Sequence, residues 1–448
     1  MQKTKGLLST QLFERLYLYS LLFFVVLLPF QFTWLPLTLG LMLFALLWLV
    51  RPDWRYKWRL FNKPGLSALF LVYYLWVVIG GIYSPEKEVA ERILILKIPF
   101  AAWAILLTTS GLKTSKAESL VSAFILSLGL GVLYAVIQSG VAFLYDGQAK
   151  AFNAFFLLRY YNVSPHYFGL YLNLAYGLLL SGLFRREYIL SRRWLSFLLL
   201  LLMVAMVMLL AVRMQYLVFV AVTLLVIFLD SGRLSRAQRL SWLGGAVAVL
   251  LIALSLLPGP RQRIIDSFNE LVSFKEMVDN KQTNPRKFLW RDGIRVIVDH
   301  WLIGTGTGAE DAALYHEFKD EKALFWDGRD TFTLADTGYN YHNAYLQHWA
   351  AHGLVGFAIL VLMFLVPLWR GKLEVRQAVF LMICALSFLT ESMLQRQAGV
   401  LFFSFFYGVF FFLPDGNIGT EKNQATEHND APVSDKDRLR DGRKCEEK

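Results

Sequence analysis

The stretch 194–229, WLSFLLLLLMVAMVMLLAVRMQYLVFVAVTLLVIFL, decides the fold class of this chain of 448 residues. As a single helix it would be about 54 Å long, whereas the hydrocarbon core of a bilayer is about 30 Å thick. The stretch must therefore cross a membrane twice. Its only charged residue is Arg213, which marks the place where the chain turns back. The sequence thus predicts that Arg213 lies at a membrane face.

The composition of the whole chain agrees with a membrane protein. Hydrophobic residues make up 56% and charged residues 18%, against about 45–50% and about 25% in soluble domains. These values exclude soluble, disordered and disulfide-rich secreted proteins. The net charge is +11, but the basic residues lie in short connections between apolar runs, which is typical of membrane topology rather than nucleic-acid binding. The two cysteines, Cys384 and Cys445, exclude a disulfide framework and a cysteine-based zinc site.

The apolar runs predict about twelve transmembrane helices. They lie at about 16–50, which holds two spans, and at 65–83, 93–109, 119–140, 166–184, 195–212, 214–229, 243–258, 353–369, 377–394 and 398–413. Every even-numbered connection is short and basic, so these connections and both termini are expected in the cytoplasm.

The predicted fold is an all-α polytopic membrane protein of four parts. Spans 1–9 occupy 1–258, and spans 10–12 occupy 343–413. Between them lies a large helical loop, 259–342, which we call the long segment and expect to be periplasmic and catalytic. The charged tail 414–448 is expected to be disordered in the cytoplasm.

The long segment contains a predicted amphipathic helix at 286–299. Asn284 and Pro285 are typical of an N-cap and a first helical residue. Arg286 falls in the first turn, where the helix dipole favours an anion, and a guanidinium group binds phosphate through two hydrogen bonds. Arg291 and Arg295 follow on neighbouring turns, where a solvated or headgroup-facing position is the more ordinary explanation. Arg291 is nevertheless the alternative to Arg286 as phosphate ligand.

The long segment ends in Tyr339-Asn-Tyr-His-Asn-Ala-Tyr-Leu346, which places His342 near the outer membrane face. A histidine is the usual general base near neutral pH, and His342 is expected to meet Arg213 and Arg286 there. Lys97 lies in an apolar run and is either functional or extended towards the interface. The weaker candidates are His166, at the outer end of span 6, and the pair formed by Glu391 and Arg396, at the outer end of span 11.

Neither a metal site nor a phosphate loop is expected. His348 and His352 share a helix face but lack the glutamate of a zinc protease motif. Gly304-Thr-Gly-Thr-Gly308 lacks the lysine and the βαβ context of a phosphate loop, so a tight turn is predicted. The only D-x-D pattern lies in the tail, which argues against a carboxylate-held magnesium or manganese ion.

Together these features resemble the O-antigen ligase/polymerase superfamily. The layout is similar, with about twelve spans, an arginine between spans 7 and 8 and a long outer loop before span 10. The matching motifs are Arg286-x3-Trp290, Leu302-Ile-Gly-x-Gly306, His342-Asn-x-Tyr-Leu346 and Gly353-x-x-Gly356.

The resemblance implies an inner-membrane glycosyltransferase that uses a glycan linked to undecaprenyl diphosphate at the periplasmic face, without metal or cofactor. The essential residues of the family fall on Arg213, Arg286 and His342. The arginines would bind the diphosphate and His342 would deprotonate the acceptor, with inversion at the anomeric carbon. Asn343 and Tyr345 would orient the histidine or the sugar, or serve only in packing.

Three functions remain open from the sequence. The first is a ligase that transfers O-antigen to lipid A–core, and the second is an O-antigen or exopolysaccharide polymerase with the same chemistry. The third is a non-enzymatic transporter of the lipid-linked glycan. The clustering of candidate residues at one face favours the two enzymes.

Overall fold

A computed structural model describes residues 2–30, 35–51, 53–61, 65–147, 154–159, 161, 163–187, 192–256, 261, 285–319, 325–326, 331–333, 336, 338–371 and 373–413. The predictions for the tail 414–448, for Asn284 and for nearly all of 259–284 lie outside these residues.

The described residues form α-helices almost throughout, as predicted. In chain order the helices are α1 (Gln2–Leu27), α2 (Leu35–Val50), α3 (Trp54–Phe61), α4 (Ser67–Tyr83), α5 (Lys87–Thr109), α6 (Ala117–Asp146), α7 (Ala154–Leu157), α8 (Pro165–Arg185), α9 (Arg193–Leu210), α10 (Arg213–Leu229), α11 (Arg236–Leu256), α12 (Arg286–Asp299), α13 (Glu310–Phe318), α14 (Ala344–Trp369), α15 (Val375–Ser387) and α16 (Gln397–Phe411). The all-α prediction is confirmed, and the described strands β1 (Phe325–Trp326) and β2 (Thr331–Phe332), of two residues each, pair antiparallel within the long segment.

Several helices are suited to cross a membrane. Within the described residues, four are long and apolar enough: Thr114–Tyr145, α8, α9 and α14. Helices α2 and α3, which meet at 115°, count as a fifth if they form one broken span. Helices α4, α10, α15 and α16 are apolar but shorter. The chain is thus a multi-pass membrane protein, while the number twelve stays a prediction.

Large apolar side chains cover the outside of these helices. Leu130 and Ile137 on α6, and Leu198 and Leu201 on α9, are about half exposed or more. Soluble monomers rarely expose apolar surface as large continuous patches, because contact with water is unfavourable. The outward faces are therefore suited to lipid.

Helix α8 lies at the centre of the helical core and is buried along nearly its whole length. Polar pairs connect it to its neighbours: the Asn173 side-chain amide donates to Gln215 Oε1 on α10 at 2.8 Å, and the Tyr171 hydroxyl donates to the Ala398 carbonyl on α16 at 3.0 Å. Hydrogen bonds of this kind join helices in an apolar environment and fix their register.

A helix break is present at the position where a reversal is predicted within 194–229. Helix α9 ends at Leu210, Ala211 adopts a left-handed conformation with φ of 51°, and α10 begins at Arg213. The predicted helix 286–299 is also confirmed as α12, with Pro285 immediately before its first residue.

The loop 304–308, which we call the glycine loop, forms the predicted tight turn. Gly304, Gly306 and Gly308 all have positive φ. The Thr307 amide donates to the Gly80 carbonyl on α4 at 3.2 Å, and the Gly306 amide donates to the Ala351 carbonyl on α14 at 3.0 Å. The glycine loop therefore attaches the long segment to α4 and α14.

Helix α14 bends at Gly353, whose φ of 63° and ψ of −167° are not helical. A β-carbon at Gly353 would collide with the Leu302 carbonyl, and the Leu354 amide donates to the Trp301 carbonyl at 2.8 Å. The bend in α14 therefore packs against residues 301–302, which follow α12.

Candidate active site

His342 lies at the entrance to α14, where the long segment meets the helical core. Asn343, the N-cap of α14, accepts hydrogen bonds from the Tyr345 and Leu346 amides at 2.9 and 3.0 Å. The Ala344 amide donates to the Phe388 carbonyl at 2.8 Å, which connects this entrance to the end of α15. The position of His342 is therefore set by a capped helix end.

Glu391 lies between two histidines. Its Oε2 atom is 3.4 Å from His342 Nδ1 and 4.0 Å from His166 Nδ1. The side chains of His342 and His166 are 24% and 32% exposed, whereas that of Glu391 is 12% exposed. If His342 donates Nδ1–H to Glu391, the lone pair of the neutral ring lies on Nε2, as a general base requires.

Glu391 remains ionised near neutral pH. Burial raises the pKa of its carboxyl, but the hydrogen bond from His342 and the charges of His166, His342 and Arg286 lower it further, so that the net pKa is below its ordinary value. Arg286 is thus close enough for its charge to act on the carboxylate beside His342.

Arg213 and Arg286 occupy equivalent positions in different helices, because each is the first residue of its helix. Helix N-termini carry partial positive charge and unpaired amide groups, which add to the guanidinium charge in attracting an anion.

Side-chain contacts join both helix starts to the surroundings of His342. On α10, the Gln215 side-chain amide donates to the His166 carbonyl at 3.4 Å and to Ser387 Oγ at 3.3 Å. On α12, Trp290 Nε1 donates to the Tyr341 carbonyl at 2.9 Å, one residue before His342. These hydrogen bonds hold the N-terminal ends of α10 and α12 beside the segments that contain His166 and His342.

Arg291 has a strong partner within its own helix. Its Nε and Nη2 atoms donate to the two oxygens of Asp292 at 2.7 and 2.9 Å, and Asp292 is fully buried. Arg295 also contacts Asp292 at 3.1 Å. This pairing favours Arg286 over Arg291 as the phosphate ligand.

Tyr345 has a structural contact, since its hydroxyl donates to the Ala385 carbonyl on α15 at 3.0 Å. Together with the capping role of Asn343, this favours a packing role for both residues.

Lys97 does not extend to the interface, because it is only 4% exposed. Its Nζ atom lies 2.9 Å from the Tyr73 hydroxyl on α4 and 3.4 Å from Nε2 of the buried His348 on α14. His348 Nε2 also contacts the Tyr73 hydroxyl at 2.6 Å. Among the described residues, no three His, Cys, Asp or Glu side chains are grouped so that they could hold a metal ion.

The sequence reading missed a buried carboxyl pair at the start of α13. Burial raises the pKa of Glu310, and burial together with the charge of Glu310 raises the pKa of Asp311 to about 8. The Gln395 side-chain amide donates to Glu310 Oε1 at 3.0 Å and to Asp311 Oδ2 at 3.2 Å. Two acidic residues in the first turn of a helix are ordinary, so their burial left no signal in the sequence.

The role of Glu391 was also missed. The only signal was an acidic residue at the end of an apolar run, and the sequence suggested pairing with Arg396. Its contacts with two histidines depend on α8, α14 and α15 meeting at one place, which a linear sequence does not reveal.

Comparison with known proteins matches one family over part of this chain. The family model described as O-Antigen ligase matches residues 198–361, the segment that holds Arg213, Arg286 and His342. The resemblance to the O-antigen ligase/polymerase superfamily is thereby confirmed.

A protein of Haemophilus influenzae, described as an uncharacterized protein, is 26% identical to this chain over 132 residues. The match covers 28% of this chain and 30% of that protein, so the chain spans less than a third of this relative's length.

Proposed function

We propose, from the match of residues 198–361 to the family model described as O-Antigen ligase, that this chain is a membrane glycosyltransferase. It transfers a glycan from undecaprenyl diphosphate to a lipid A–core acceptor at the periplasmic face of the bacterial inner membrane. The observation that carries the proposal is the contact of His342 with the ionised Glu391, within reach of the charge of Arg286.

In this proposal His342 is the general base. Its Nε2 atom removes the proton from the acceptor hydroxyl as the hydroxyl oxygen attacks the anomeric carbon. Glu391 accepts the hydrogen bond from Nδ1 and stabilises the imidazolium that forms, as the carboxylate of a catalytic triad does. His166 lies on the other side of the same carboxylate, where it contributes to substrate binding.

Arg213 and Arg286 bind the diphosphate of the donor. As the bond between the anomeric carbon and the phosphate oxygen breaks, negative charge develops on the leaving undecaprenyl diphosphate. Two guanidinium groups at helix N-termini stabilise that charge, so the reaction proceeds without metal or nucleotide. Because attack comes from the face opposite the leaving group, the anomeric configuration is inverted.

A polymerase with the same chemistry is the second candidate, because the family match does not distinguish a ligase from a polymerase. The two differ only in acceptor, which is lipid A–core for the ligase and a lipid-linked glycan for the polymerase.

The test is transfer by the purified protein in nanodiscs, with undecaprenyl-diphosphate glycan as donor and the two acceptors supplied separately, in the presence of EDTA. The proposal expects product on lipid A–core, released undecaprenyl diphosphate and an unchanged rate when EDTA is added. Product formed only on the lipid-linked glycan would identify a polymerase. No product with either acceptor would leave the transporter as the remaining function, and activity restored by a divalent ion would refute the arginine-based scheme.

A further inference from the structure

The backbone of His342 requires support from its surroundings. Its φ of 44° lies in the left-handed region, which only a few per cent of non-glycine residues adopt. Such a conformation persists only where neighbouring contacts determine it, and it is typical of functional positions. One such contact is the His342 amide, which donates to Asn340 Oδ1 at 2.9 Å.

A series of hydrogen bonds between side-chain amides extends from this contact into the protein. Asn340 Nδ2 donates to Gln395 Oε1 at 3.1 Å, and Gln395 Nε2 in turn donates to Glu310 and Asp311. The direction of this series is fixed at its outer end, because a backbone amide can only donate. The Asn340 oxygen must face His342, its NH2 group must face the Gln395 oxygen, and the Gln395 NH2 group must face the carboxyl pair.

The Glu310–Asp311 pair, at the inner end of this series of hydrogen bonds, is held by several further contacts. Glu310 is 5% exposed, and Gln347 on α14 also donates to Glu310 and Asp311, at 3.5 and 3.4 Å. The Tyr341 hydroxyl donates to the Glu310 carbonyl at 3.1 Å, and the charge of Lys97 acts on the Glu310 carboxyl. Gln395 is therefore the single described side chain that joins this centre to Asn340.

We propose that Gln395 is a positioning residue for His342: it transmits the fixed position of the Glu310–Asp311 pair through Asn340 to the left-handed backbone of His342. This inference rests on the proposed function for its kinetic consequences, but its structural consequence is independent of any activity. It adds a residue that does not touch substrate and acts only through the base.

The kinetic test compares Gln395→Leu with the wild-type chain in single-turnover transfer and in donor binding. We expect the rate of transfer to fall by about 10²-fold, as for a misplacement of a catalytic group by about 1 Å, with donor binding unchanged. In a His342→Ala background the same substitution should have no further effect, because the base through which it acts is absent. An equal loss in both backgrounds, or no loss in either, would overturn the inference. Gln238→Leu is the matched control, because Gln238 is exposed near the start of α11 and lies far from Gln395 in the sequence.

Gln395→Glu provides a second variant with a distinct readout. A neutral carboxyl group keeps one donor and one acceptor, whereas a carboxylate loses the donor. The charged and titratable groups around this position are Glu310, Asp311, Lys97, Tyr341, His342, Glu391 and Arg396. The ratio of the transfer rate of Gln395→Glu to that of the wild type should be close to one at acidic pH and should fall as pH rises. A ratio independent of pH would contradict the proposed hydrogen bonds.

Hydrogen exchange tests the inference without any transfer reaction. In Gln395→Leu, the peptide covering 339–346 should exchange faster, because the His342 amide loses a fixed acceptor, while a peptide from α8 should not change. Unchanged exchange at 339–346 would overturn the inference even if transfer is observed. Faster exchange in a protein that transfers nothing would instead support the inference and refute only the proposed function.

Discussion

Glu391 combines two effects of its surroundings on one carboxyl group. Burial alone would raise its pKa, but the two histidines and Arg286 lower it below the ordinary 4.5. A carboxyl group with a lowered pKa in the folded state stabilises that state fully above its unfolded pKa, and the stabilisation is lost as pH falls through the folded pKa. The contact with His342 is therefore intact across the neutral range, in which a histidine base operates.

The roles proposed for His342 and the arginines can be separated by substitution. In His342→Ala the diphosphate site remains, so donor binding should be nearly normal while transfer slows by about 10²–10⁴-fold, the usual value of a general base.

In Arg213→Lys the bidentate hydrogen bonding to phosphate is lost, so both donor binding and transfer should weaken. Arg286→Lys should act similarly but more mildly. Donor binding and single-turnover transfer in nanodiscs provide the measurements.

Arg193→Lys is the matched control for the arginine variants, because Arg193 is also the first residue of a helix but lies at the opposite end of α9 from the Arg213 turn. It should bind donor and transfer normally. If His342→Ala lost donor binding as completely as Arg213→Lys, His342 would be a phosphate ligand and not the base.

At the scale of elements, local signals predicted what the structure confirms. The charge at Arg213 within an apolar run located a helix break, and the stripe of apolar residues after Pro285 gave the bounds of α12. The Gln395 contact with Glu310 joins residues 85 apart in the chain, and no periodic pattern carries such information. The buried carboxyl pair was unpredictable for that reason.

The three glycines of the glycine loop lie where a side chain would collide with neighbouring atoms. At Gly306, φ is 100° and a β-carbon would lie 2.7 Å from the Ser84 α-carbon. Gly306→Ala should destabilise the protein by about 1–3 kcal/mol, through backbone strain and displacement of α4. Thermal unfolding followed by the retention of monodisperse protein on size exclusion measures this loss.

Gly140→Ala on α6 is the control for that substitution, since no atom lies within 4 Å of its added β-carbon. Its stability should stay within about 1 kcal/mol of wild type, because alanine favours a helix. Equal stability of the two variants would mean that the glycine loop can relax away from α4.

At the scale of the whole molecule, the basic connections predict the orientation in the membrane. Arg192 is expected in the cytoplasm and Trp326 in the periplasm. Single cysteines at these positions, in a chain with Cys384 and Cys445 replaced by serine, should react with an impermeant maleimide from opposite sides of the membrane in intact spheroplasts and inverted vesicles. Reaction from the same side would contradict the twelve-span arrangement and relocate the site.

The attachment of the glycine loop to α4 and α14 bears on how such proteins can be recombined. The amides of residues 305–307 donate to carbonyl groups of α4 and α14, so the long segment is not a module that can be cut out or exchanged alone. A chimera that borrows residues 285–342 from a relative must also take Gly80 with its neighbours and the bend at Gly353. The backbone around His342 would therefore be inherited as a set of three separate chain segments.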